Sequence, residues 1–156
     1  MRRRTSLLEA VLVGGFVAGA LDIVYAFVFF GLRSGISPLR ILQSIASGIM
    51  GRSSRDGGLA TGALGLFLQF FIAISAAAVF AVASRYLPVL RRRPVLSGIV
   101  YGVVIYVVMN FVVVPLSAFP YPRSFPPAVL VTGLLVHMFL IGLPISLSVR
   151  RAFEPA

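Results

Sequence analysis

Four long apolar stretches, separated by short polar breaks, constrain this chain more than any other feature. They cover residues 7–32, 59–83, 95–116 and 128–149. A helix needs about 20 apolar residues to cross the hydrocarbon core of a bilayer, and each stretch meets that length. The breaks carry turn-forming and helix-ending residues: Arg33-Ser34-Gly35, Arg91-Arg92-Arg93-Pro94 and Phe119-Pro120-Tyr121-Pro122-Arg123. The 156 residues are 59% hydrophobic and 12% charged, with a mean hydropathy of +1.02. A soluble domain carries about 25% charged residues, and the 18 Arg, Asp and Glu side chains here are too few to clothe one. An ordinary soluble domain and a disordered chain are excluded, and a disulfide scaffold falls with the absence of Cys. The pattern predicts an all-α membrane protein: a four-helix transmembrane bundle forming a single integral domain over residues 1–156.

The first stretch has a rival reading. Arg2-Arg3-Arg4, an apolar run and Ala18-Gly19-Ala20 together look like a signal peptide with a small-residue cleavage site. The run continues to Phe30 with Asp22 embedded in it, however, so an uncleaved first helix is expected.

Charge sets direction. All fourteen basic residues are Arg. Nine lie in the N-terminal segment, the second loop and the C-terminal tail (Arg2, Arg3, Arg4, Arg85, Arg91, Arg92, Arg93, Arg150, Arg151), against five in the other two loops. Because cytoplasmic segments carry the Arg excess, both termini are expected inside a bacterial inner membrane. Arg in such breaks meets anionic lipid headgroups, so the net charge of +10 needs no nucleic-acid partner.

The first loop holds a further short helix. Ser37-Pro38 reads as an N-cap and first helical residue, opening a helix over 38–50. Leu42, Ile45 and Ile49 fall on one face and Arg40, Gln43, Ser44 and Ser47 on the other, with Gly48 and Gly51 as stop signals. This is an interfacial amphipathic helix, lying on lipid or, preferably, folded back over the bundle.

Helices in lipid associate through close backbone approach and buried polar contacts. Gly15/Gly19, Gly58/Gly62 and Gly98/Gly102 supply small-xxx-small spacings suited to packing within the bundle, or to a homodimer face.

Asp22, Gln69, Asn110 and His137 are the residues a membrane resists most. An aspartate near the centre of a span costs about 2.5–3.5 kcal/mol. At about 1.5 Å of rise per residue, all four fall in the middle-to-outer part of the core and so could meet. They read as a structural polar knot fixing the bundle, or as a proton-sensing or substrate-binding site. A single His supports neither a tetrahedral zinc site nor, within one copy, bis-His haem, so no cofactor or metal is expected. Signatures of nucleophile elbows, phosphate loops and zinc helices are missing, so no enzyme is expected. The alternatives are an accessory subunit of a larger membrane complex and a small oligomeric proton-linked transporter or channel.

Several short motifs resemble a known group. Gly15-xxx-Gly19 with Asp22, Ser37-Pro38 leading to Ile45-Ala46-Ser47-Gly48 and Gly51, Met109-Asn110 with Val114-Pro115-Leu116, and His137 with Gly142-Leu143-Pro144 are similar to small bacterial inner-membrane proteins called YagU-like. The resemblance implies a multi-pass inner-membrane protein linked to acid tolerance, with no reaction and no established ligand. Gln69-Phe70 departs from it, since a histidine is expected in the second helix of such proteins.

Overall fold

The helix ends are set by local chemistry. The Ser6 hydroxyl accepts from the Glu9 amide at 3.1 Å and starts the first helix, and Gly35, at φ 64°, ends it in the left-handed conformation that glycine adopts without strain. Ser37 accepts from the Arg40 amide at 3.4 Å and starts the second, with Pro38 in its first turn. That helix runs through Gly48, and only Gly51, at φ 62°, closes it.

The computed structural model describes residues 5–122 and 125–153. Arg2, Arg3, Arg4 and Arg123 lie outside the described residues. The elements are α1 (Leu7–Ser34), α2 (Pro38–Met50), α3 (Gly58–Tyr86), the short α4 (Pro88–Arg92), α5 (Pro94–Leu116) and α6 (Pro127–Arg151). A 3-10 turn, Gly51–Arg55, joins α2 to α3. Helices α1, α3, α5 and α6 are each long and apolar enough to cross a membrane, and among the described residues there is no strand. The chain is an all-α four-helix bundle.

Two prolines widen their helices. Pro115 and Pro144 lack the amide that would bond the carbonyl four residues back. The backbone just before each opens into a π-helical segment, Met109–Val113 in α5 and His137–Gly142 in α6. Both segments lie at the level of the polar residues.

Helix α1 packs along both α3 and α6, and α6 packs along α5, whereas α3 and α5 are not closely packed against each other. Adjacent glycines let α1 sit between two neighbours: a side chain on Gly14 would meet Ser148 of α6, and one on Gly15 would meet the backbone of Ile74 in α3. Gly19 lies against Phe70 and Ala73. Gly98 and Gly102 of α5 together receive the backbone of α6 around His137, Met138 and Gly142. Gly62 meets Leu39, and Gly65 meets the backbone of Leu42, so this stripe seats α2 and not another long helix. Gly58 packs against nothing; at φ 55° with open space around it, it only turns the chain into α3.

Helix α2 folds back over the bundle and buries residues from both faces: Ile41, Gln43, Ala46 and Ser47 are buried, while Ile49 is 64% exposed. Gln43 is held there by donating to the Gly58 carbonyl at 3.1 Å and to Thr61 Oγ1 at 3.4 Å, at the start of α3. The outward surface of the four long helices is apolar, with Phe16, Phe67, Val79, Val104 and Phe111 among the exposed residues. That is the surface expected of helices that face lipid.

Candidate functional site

Because α3 and α5 stand apart while α1 and α6 close the sides, a cavity of about 280 Å³ remains between them. Toward the chain termini it is closed by a packed layer. The Tyr101 hydroxyl donates to the Ala76 carbonyl at 2.7 Å, and its ring lies 4.9 Å from that of Phe80, above buried Ala77, Ile141 and Ile145. At the other end α2 covers the cavity with Ser44, Ile45 and Gly48, beside Ser117 and Phe119. The Ala118 amide donates to the Gly48 carbonyl at 2.8 Å and fixes the loop after α5 onto α2.

Asp22, Gln69 and His137 all line this cavity. Gln69 Nε2 donates to Asp22 Oδ2 at 2.8 Å and to the Gly19 carbonyl at 3.3 Å, so both amide protons are engaged. The second carboxylate oxygen of Asp22, and Gln69 Oε1, have no hydrogen-bond partner among the described residues. His137 Nδ1 lies 2.8 Å from the Gly133 carbonyl in the preceding turn, and its ring sits edge-on to Tyr106 at 5.2 Å. A carbonyl only accepts, so Nδ1 carries a proton; Nε2 is an acceptor when the ring is neutral and a donor when it is charged. No direct hydrogen bond joins Asp22 to His137.

Asn110 stands apart from these three. Its Nδ2 donates to the Tyr106 carbonyl at 2.9 Å, and it is not among the cavity-lining residues. Ile105, Met109 and Val113, spaced four apart, face the cavity, and the residue after Met109 points about 100° away from that face.

No Arg lines the cavity. The described Arg residues sit at the ends of the bundle: Arg91 lies over Phe153 at 4.5 Å, Arg55 over Tyr121 at 4.4 Å, and Arg92, Arg93, Arg150 and Arg151 are exposed. The remaining wall is apolar, formed by Ile72, Ile105, Met109 and Val113 with their neighbours. Sequence reasoning did not find Ser44 or Ser117 as parts of this site. Their only signal was position in the loops, and their role depends on α2 folding inward.

Comparison with protein-family models, with curated proteins and with solved structures found no match. Fold and site alone set the class: an all-α, multi-pass membrane protein with a cavity between its helices, walled by apolar residues and a small group of polar ones.

Proposed function

We infer that this is a non-enzymatic protein of the bacterial inner membrane, both termini cytoplasmic, that takes a small solute into the cavity beside Asp22. The observation that carries the reading is the carboxylate of Asp22, facing a cavity that no Arg enters. A carboxylate at this depth is expensive unless a proton, a cation or a polar ligand compensates it, and one amide donor from Gln69 supplies only part of that compensation. Cavities of roughly 300 Å³, mostly apolar with a few convergent polar groups, are the form that small-molecule sites take. The nine Arg residues in the N-terminal segment, second loop and C-terminal tail support the orientation.

The chain has no cysteine, so single-cysteine variants report cleanly. Met109→Cys, on the cavity wall, is expected to react with 2-aminoethyl methanethiosulfonate in intact membranes. Val104→Cys, 46% exposed on the outer surface of α5, is expected to be shielded by lipid. A Met109→Cys thiol no more reactive than that of Val104→Cys removes the reading.

A second reading is favoured by the same isolated carboxylate: the solute is a proton, and the protein senses pH. The titratable groups facing Asp22 across the cavity reduce to His137, since no Arg or second acid lines it. In that case Asp22→Asn leaves the fold intact and removes a pH-dependent change in Met109→Cys reactivity.

A further inference from the structure

The polar groups turned into the cavity are almost all acceptors, and this selects a ligand class. Asp22 offers a carboxylate oxygen and Gln69 its Oε1, and His137 adds an acceptor at Nε2 when its ring is neutral. The donors that might have balanced them are spent elsewhere. Both amide protons of Gln69 go to Asp22 and Gly19, His137 Nδ1 faces Gly133, Ser44 Oγ donates to the Ile41 carbonyl at 2.7 Å, and Ser117 Oγ donates to the Val114 carbonyl at 2.7 Å. Resting on the solute-binding reading above, we propose that the cavity binds a small organic cation, a primary ammonium with an apolar body.

An ammonium brings three donors and no acceptor, the complement of this set. An anion would meet the Asp22 carboxylate with no donor to offset it. A bare inorganic cation leaves the apolar remainder of the wall unused, whereas a hydrocarbon body covers Ile72, Ile105, Met109 and Val113. Size follows from the volume. A cavity of about 280 Å³ lies just below the usual range of small-molecule sites and so suits a small ligand.

2-Phenylethylammonium is such a ligand, and 2-phenylethanol and 3-phenylpropanoate are its neutral and anionic analogues. Equilibrium dialysis of the three probes against the purified protein in lipid nanodiscs tests the assignment. The ammonium is expected to bind at least about tenfold more tightly than either analogue, the scale of one charge-assisted hydrogen bond. Asp22→Asn is expected to bring its affinity down to that of the alcohol. Equal affinity for ammonium and alcohol in the unaltered protein, or tighter binding of the propanoate, overturns the ammonium assignment while leaving solute binding in place. This comparison holds even if Asp22→Asn fails to fold. Ala76→Phe, which fills the cavity away from the polar group, is expected to abolish binding of all three. Absence of binding by every probe in the unaltered protein overturns both the assignment and the solute-binding reading.

Discussion

Gln69 Nε2 stands 2.8 Å from Asp22 Oδ2, joining the middle of α3 to the middle of α1. Interhelical hydrogen bonds in membranes average about 0.6 kcal/mol and reach about 1.7 kcal/mol. Gln69→Leu is therefore expected to destabilise the bundle within that range, because it leaves the Asp22 carboxylate without its donor. Asp22→Asn keeps an acceptor opposite Gln69 and is expected to change stability by less than about 1 kcal/mol. Reversible unfolding in mixed detergent, followed by circular dichroism, checks both values. A Gln69→Leu protein as stable as the parent contradicts the bond.

Gly142 faces Gly98 and Gly102 across the α5–α6 contact, and a Cβ there would lie 2.6 Å from the Gly102 nitrogen and 2.8 Å from its Cα. Backbone cannot yield as a side chain can, so Gly142→Ala is expected to cost about 1–3 kcal/mol, the usual range for overpacking. At Gly48 the nearest atoms to a built Cβ are those of Ser117 at 3.9 Å, an ordinary contact. Gly48→Ala is expected to be neutral or to stabilise α2 by up to about 1 kcal/mol through helix propensity. Thermal denaturation of the two variants side by side tests the contrast.

Much of this architecture was legible in the sequence. Apolar run length placed α1, α3, α5 and α6, and Ser37-Pro38 placed the start of α2, because these signals act within a few residues. The burial of Gln43 in α2 was not legible: it depends on Gly58 and Thr61 standing opposite that side chain, a relationship across the chain. Depth arithmetic placed Asn110 level with Asp22 but did not fix its face, and Asn110 lies off the side of α5 that carries Ile105, Met109 and Val113. Gly98 and Gly102 could be read as a packing stripe, while their partner Gly142 is set by how α6 crosses α5.

Gln43 holds α2 over the cavity through its bonds to Gly58 and Thr61, and it accepts from Arg40 Nη1 at 3.2 Å. Gln43→Leu removes these bonds, while the Gly58 carbonyl and Thr61 Oγ1 keep each other and Ser54 as partners, at a cost of about 0.5–1.5 kcal/mol per bond. The loss is expected to be local. Amide hydrogen exchange should rise across Pro38–Met50 while α1, α3 and α6 keep their protection. Uniform exchange in all helices contradicts an α2 fastened by this residue.

The proposed orientation depends on the Arg excess at one end of the bundle. A C-terminal green fluorescent protein fusion is expected to fluoresce, and a C-terminal alkaline phosphatase fusion to be inactive. Replacing Arg91, Arg92 and Arg93 together with Gln reduces the bias and is expected to raise the phosphatase signal. An active phosphatase fusion on the unaltered chain reverses the orientation.

The central claim is that solutes reach a cavity walled by Asp22, Gln69 and His137, and its most direct measurement is the thiol reactivity of Met109→Cys with and without Ala76→Phe. Both positions line the cavity, and neighbouring Ala77, fully buried outside it, provides the control. Rapid labelling of Met109→Cys, suppressed by Ala76→Phe in a protein that still folds, together with loss of folding in Ala77→Phe, is the result expected. Equal labelling with and without Ala76→Phe, or an Ala76→Phe protein that fails to fold as Ala77→Phe does, contradicts the cavity.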